Sequence, residues 1–322
     1  MGKTYDVVVP INVRDEDTFF NGIKWLLRYL PLKKIVLIGN EKVKENIPDE
    51  YVNTVEYVDE NSIITFEEVK SIIREVSGDD PDCIKRTGWY YQQFLKMKYA
   101  DICTDEWYIV WDSDTCPIKS VKLFDEKHPI FDVKTEYYKP YFDTMHKILP
   151  ELNKLQPFSF ISEHMLISCE IMKKMISEIE QNQNIGNPGD LFYKKILKAI
   201  DKKALASIGF SEFETYGTYC IKNYPGLYEI NEWHSLREAK NYFKPNEFSE
   251  REARWLKEYD AVTFEKRHEY VLSPLKGLFK NRIVQRTLPF EQMQKIDDFS
   301  MKIKRSCKTA LIILKNHLMG KA

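Results

Sequence analysis

The sequence predicts an α/β protein: a mostly parallel sheet flanked by helices, with a helical C-terminal tail. Three observations carry that expectation. Short β-branched runs alternate with amphipathic stretches, the rhythm of a parallel sheet joined by crossover helices. The runs are apolar on both faces, as strands covered by helices on both sides must be. One such run, Trp107–Trp111 (WYIVW), ends abruptly at Asp112-Ser113-Asp114.

Taken in chain order, Tyr5–Ile11 (YDVVVPI) is the first predicted strand. A polar loop over 12–17 follows, then an amphipathic helix over Thr18–Leu30 that Pro31 terminates. Lys34–Gly39 and Thr54–Val58 are the next two strands, and Phe66–Val76 is a helix. In Gly88–Met97 (GWYYQQFLKM), Tyr90, Phe94 and Met97 fall on one helical stripe, while Gln92, Gln93 and Lys96 group on another. Trp89 reads as core. The second half is less regular: strands are expected over 129–133 and 158–168, and helices over 143–149, 170–181 and 189–200. Ser211 followed three residues later by Glu214 marks a further helix start with a capping box. Asp190 reads first as a helix-start residue.

Composition narrows the function classes. Over 322 residues, 48 Lys and Arg balance 49 Asp and Glu, which excludes the basic excess of a nucleic-acid coat. With 43% hydrophobic and 13% aromatic residues the chain can bury a core, so disorder is excluded. Six scattered cysteines without a CxxC pair exclude zinc-finger spacing and give no disulfide framework. No apolar signal-peptide region or run long enough to span a bilayer is evident, so a cytoplasmic chain is expected. The tail over 299–322 differs: it holds Lys302, Lys304, Arg305, Lys308, Lys315 and Lys321 and no acidic residue. Ile303, Cys307, Ala310, Leu311, Leu314 and Leu318 follow helical spacing there. A basic amphipathic helix fits an anionic membrane surface, making the protein peripheral at the inner face of the plasma membrane; docking on the α/β body is the alternative.

The acidic triplet is the chief chemical signal. In an open α/β sheet, ligands bind outside the carboxyl ends of the strands, where Asp112 and Asp114 fall. Side chains at i and i+2 share a face, and hard carboxylate oxygens suit Mn²⁺ or Mg²⁺ carrying a substrate diphosphate. A surface turn or helix cap is the competing reading, but burying two acids at a strand end costs free energy unless a cation or donors meet them. Glu212 and Glu214 stand at a predicted helix N-terminus. The dipole alone explains two acids there; as functional groups, Glu212 first and Glu214 second could deprotonate an acceptor hydroxyl. Glu163 and His164, inside an apolar strand, need partners. They read either as a ligand-binding pair, with His164 hydrogen bonding a substrate hydroxyl, or as satisfied core groups.

Together the VVVPI strand, the GWYYQQFLKM helix, the strand ending in DSD, and the EHML and SEFETYG segments resemble GT-A fold glycosyltransferases. More narrowly, they resemble bacterial capsule and lipopolysaccharide glycosyltransferase-like proteins. The resemblance covers about residues 5–240. It implies that Asp114 binds the divalent metal directly and that Asp112 touches the metal or the ribose. It also implies that Pro10, Asn12, Arg14, Gln93, Lys96 and Ser113 receive the donor nucleotide and that Glu163 and His164 form the acceptor side. An exposed loop arginine is the alternative for Arg14, and a solvated polar face for Gln93 and Lys96. His234 would be a third metal ligand, although the glycine and lysine expected downstream of it are missing. Residues 1–120 would form the nucleotide-sugar half, 121–260 the acceptor half of the same domain, and 261–322 the basic helical tail.

The expected activity is metal-dependent transfer of a sugar from a nucleoside-diphosphate sugar to a saccharide or lipid-linked glycan in surface polysaccharide synthesis. A catalytically inactive scaffold or glycan-binding subunit is the alternative. A nucleotidyltransferase would need a glycine-rich phosphate loop, and Pro10–Asp17 has no glycine.

Overall fold

A computed structural model describes residues 3–265 and 273–318, with side chains described as far as Thr309. The first half alternates as expected: β1 (Tyr5–Pro10), α1 (Glu16–Tyr29), β2 (Leu32–Gly39), β3 (Val55–Asp59), α2 (Phe66–Ser77), α3 (Thr87–Lys98) and β4 (Trp107–Trp111). A three-residue strand, β5 (Thr115–Pro117), follows the acidic turn, and β6 (His128–Val133) and α4 (Lys139–Ile148) come next. Then come β7 (His164–Ser168), α5 (Cys169–Gln181), α6 (Phe192–Ala199) and α7 (Glu212–Asn223). The chain continues through β8 (Glu229–Glu232), β9 (Ser235–Leu236) and β10 (Ala261–Thr263) to a long helix, α8 (Phe290–Leu318).

The main sheet has the order β3-β2-β1-β4-β7. Its first four strands are parallel and β7 is antiparallel to β4. Val7, Val8, Val9, Ile35 to Ile38 and Tyr108 to Trp111 are fully buried, because α-helices cover the sheet. Two small sheets stand beside it: β9-β10-β5, and β6 between Phe124–Asp125 and β8. A second apolar cluster joins Trp25 of α1 to Cys116, Tyr242, Phe248, Val262, Phe290 and Met293. It fastens the start of α8 to the body. No helix among the described residues is long and apolar enough to cross a membrane.

Two expectations are corrected. The strand expected over 158–168 is confined to His164–Ser168. Ser159 makes only an isolated bridge to Lys134, and Glu163 turns to φ = 64°, a left-handed conformation that ends any ladder. The helix expected from 189 begins at Phe192, because Asp190 accepts from the Asn187 N–H and pairs with Lys194 and Lys198 instead of joining it.

Gly217 of α7 explains one detail of the SEFETYG segment. The Phe160 ring lies where a Cβ would go, so helix and loop meet at the glycine backbone. Gly217→Ala is expected to destabilise the protein by about 1–3 kcal/mol through overpacking, despite alanine's better helix propensity. Urea denaturation checks this; an unchanged midpoint would mean that the ring moves aside freely.

Candidate active site

The Asp112-Ser113-Asp114 segment is a tight turn between β4 and β5. The Asp112 N–H donates to the Glu163 carbonyl at 2.9 Å, and the Asp112 carbonyl accepts from Thr115 N at 3.1 Å. Phe264 N donates to the Asp114 carbonyl at 2.8 Å, tying the turn to the residue after β10. These backbone bonds fix the turn independently of any ligand. Both acids therefore line a cleft of about 480 Å³ at the carboxyl end of β4.

The opposite wall comes from α3 and α7. Lys96 is 3% exposed and lies between two carboxylates, donating to Asp112 Oδ1 at 2.7 Å and Glu212 Oε1 at 2.8 Å. Burial works against its charge, but the two carboxylates override it and hold the ammonium above its ordinary range. Its Nζ also sits 4.6 Å from the centre of the Phe213 ring. Gln93 accepts from the Glu212 N–H at 3.1 Å, satisfying one of the open donors at the start of α7, and its own amide donates to the Trp89 carbonyl. Gln93 and Lys96 thus form an internal seam between α3 and α7 and not a solvated stripe, while Gln92 is half-buried and lines the cleft.

Asp114 is the anomaly of the site. Burial first, then the neighbouring Asp112, Glu265, Asp15 and Glu163, push its carboxyl up to about 7. Burial and the neighbouring carboxylates together disfavour its charged form. Arg237, on the segment after β9, is held by Glu136 and by Glu265 at 2.7 Å, and its Nε lies 3.5 Å from Glu163. Arg14, exposed at the rim, and Arg86, whose Nε donates to the Ser207 carbonyl, complete the cationic lining.

The cleft therefore brings together Arg14, Gln93, Lys96, Asp112, Ser113, Asp114 and Glu212 from the sequence-based set. Others lie elsewhere. Pro10 is buried in β1, and Asn12 caps the short turn after it through the Arg14 N–H. The His164 ring is packed between Trp111 and Trp233, with Nε2 2.8 Å from Asp132 Oδ2 and Nδ1 3.0 Å from the Ser162 carbonyl. Both ring nitrogens are engaged inside the protein and the ring does not line the cleft, so it is a core histidine. Glu163 is spent on Lys134, Arg237 and the Trp233 indole N–H. Glu214 lies outside the cleft lining, bonded to the Ser159 hydroxyl. Its backbone N–H donates to Ser211 Oγ at 3.2 Å, so half of the expected capping box forms, while the carboxylate half goes to Ser159. His234 is also absent from the lining, its ring 3.7 Å from Asp260.

Sequence reasoning misses Asp15, Arg86, Arg237 and Glu265; Trp89, read as core, packs half-buried against the core and also lines the cleft. Asp15 is within its reach, since it adjoins Arg14 in the loop after β1. Arg237 and Glu265 carry no local signal; only their mutual ion pair makes them noticeable. Among the described residues, no three His, Cys, Asp or Glu side chains gather to enclose a metal ion. Asp112 and Asp114 remain as a two-carboxylate set. That set suits a hard cation that keeps waters and takes further oxygens from a substrate, and a cation would offset the burial and like-charge cost of ionising Asp114.

A protein-family model matches residues 31–302. The chain belongs to DUF6492, a family of unknown function. No curated protein matches this DUF6492 chain. Solved structures similar to it include mouse xyloside xylosyltransferase 1 in its apo form, at 12% identity and a TM-score of 0.37, covering 73% of this chain and 88% of that one. Another is the galactosyltransferase LgtC in complex with donor and acceptor sugar analogues, at 12% identity and a TM-score of 0.40, covering 90% and 99%. A third is the apo-form glycosyltransferase GlyE of Streptococcus pneumoniae TIGR4, at 10% identity and a TM-score of 0.37, covering 86% and 59%.

Proposed function

We propose that this DUF6492 chain is a metal-dependent glycosyltransferase that moves a sugar from a nucleoside-diphosphate sugar to a saccharide or lipid-linked glycan acceptor. The observation that carries the reading is the acidic turn at the carboxyl end of β4, opening on a cleft that also holds arginines and a buried carboxylate. A diphosphate needs positive charge and a sugar hydroxyl needs an acceptor for its proton; this cleft has groups for both tasks.

Arg14 at the rim pairs a donor phosphate, its guanidinium suited to two oxygens at once. Asp112 and Asp114 would hold Mn²⁺ or Mg²⁺, which offsets charge on the leaving nucleoside diphosphate. Lys96 neutralises Asp112 from behind and keeps it oriented. Glu212 is the carboxylate on the facing wall and receives the acceptor proton, in place of Glu214. The motif resemblance points to surface polysaccharide synthesis in the cytoplasm as the setting.

Thermal-shift measurements with UDP, GDP and CMP, with and without Mn²⁺, test donor binding. Stabilisation by at least one nucleotide is expected to require the cation and to vanish with Asp114→Ala, and turnover of the matching nucleotide sugar is expected to stop in EDTA. Stabilisation by none of them would return the chain to the inactive-scaffold reading.

A further inference from the structure

We infer that α8 lies on an anionic membrane surface, with Ile296, Phe299 and Ile303 entering the lipid interface and the neighbouring basic residues meeting the headgroups. The inference is independent of the glycosyl-transfer reading, since it rests on the helix alone. The first turns of α8 are docked: Phe290 and Met293 are buried in the second apolar cluster, and Asp297 accepts from the Tyr242 hydroxyl at 2.9 Å. Between Asp298 and Thr309 only Ser300, Met301 and Lys304, on the docked side, stay half-buried, and the rest are exposed. Phe299 is 65% exposed, Ile303 49% and Ile296 41%.

These three are not strays from the docked face. At 100° per residue, Ile296, Phe299 and Ile303 fall within about 60° of one another, and roughly a third of a turn from the direction of Phe290, Met293 and Asp297. A single exposed apolar side chain would need no explanation, but a stripe continued over two turns does. The sequence-based face, which begins at Ile303, therefore extends back to Ile296; its continuation at Ala310, Leu311, Leu314 and Leu318 lies outside the described side chains.

The charge says what covers the stripe. Lys302, Arg305 and Lys308 are exposed on the same stretch, and no acidic residue follows Asp298. With the whole chain near neutrality, this segregation of positive charge is local. A second copy of the helix would bring like charges together in an antiparallel or parallel pair, whereas an anionic lipid surface complements them. The span of α8, 29 residues, is about 43 Å, enough to lie along the interface.

Vesicle flotation of the full chain tests this. We expect recovery with phosphatidylcholine vesicles containing roughly a third phosphatidylglycerol, little with phosphatidylcholine alone, and loss at high salt. The triple variant Lys302→Glu/Arg305→Glu/Lys308→Glu and the double variant Phe299→Ser/Ile303→Ser should each cut recovery by about tenfold or more while leaving the thermal midpoint unchanged, since all five residues are exposed. Equal recovery on both vesicle types, or variants that float like the parent, would overturn the inference. So would a concentration-dependent dimer that Phe299→Ser/Ile303→Ser dissolves, which assigns the stripe to a second copy.

Discussion

Lys96→Met is expected to lower stability by about 3–5 kcal/mol, the usual cost of stripping one partner from a buried ion pair. For a chain of this size, that is a fall of roughly 6–15 °C in the thermal midpoint. Methionine fills most of the volume, so packing contributes little; the loss comes from Glu212, 4% exposed, and from Asp112, both deprived of the ammonium. Glu212→Gln introduced into the Lys96→Met protein should recover part of the loss by removing the more deeply buried charge. The two changes would then be strongly non-additive. Because the ammonium is held above its ordinary value of 10.5, it stays charged from about pH 6 to 9, and the deficit should be flat across that range. A midpoint within about 2 °C of the parent would mean that the three groups are not an energetic unit.

Asp114→Asn should do the reverse. In the folded chain the Asp114 carboxyl is pushed up from 3.8 to about 7, burial contributing most and the surrounding carboxylates the rest. Between those two values the folded protein keeps a proton that the unfolded chain has released. Its contribution to stability is therefore fully present below about pH 4 and is lost as the pH rises through about 7. Three units correspond to about 4 kcal/mol at most, and solvent screening at a side chain open to the cleft cuts this to about 2 kcal/mol. Without added cation, Asp114→Asn should match the parent near pH 4 and exceed it by about that amount at pH 8. Mn²⁺ competes with the same proton, so it should stabilise the parent at about pH 8, much less at about pH 5.5, and the variant at neither. Denaturation series across pH decide the matter. A variant less stable than the parent at pH 8 would show that other groups already compensate the carboxylate.

Of the four parallel strands, β1, β4 and the second half of β2 are legible in the amino-acid sequence because they are apolar on both faces, a pattern that a sheet covered on both sides explains. The edge strand β3 keeps Glu56 and Asp59 exposed. The acidic turn is legible because WYIVW stops at charge. Burial of polar side chains is not. Lys96 and Gln93 look like a solvated stripe until α7, more than a hundred residues on, closes over them. His164 suggests chemistry because an imidazole in an apolar strand needs partners; Asp132 and two tryptophans supply them from distant segments. Glu214 looks like a second base, yet Ser159 reaches its carboxylate across a loop that is expected to be a strand. In each case the deciding contact is long-range, and local spacing is silent about it.

A non-glycine residue at φ = 64° carries a conformational cost on the order of 1 kcal/mol or more, and at Glu163 the backbone and the side chain face different tasks. The carbonyl grips the Asp112 amide while the carboxylate is shared by Lys134 and Arg237. One strained hinge thus yokes the acidic turn to the far rim of the cleft. Any substrate that drags Arg237 would tug the turn as well, and glycine at 163 would ease the backbone while cutting that linkage.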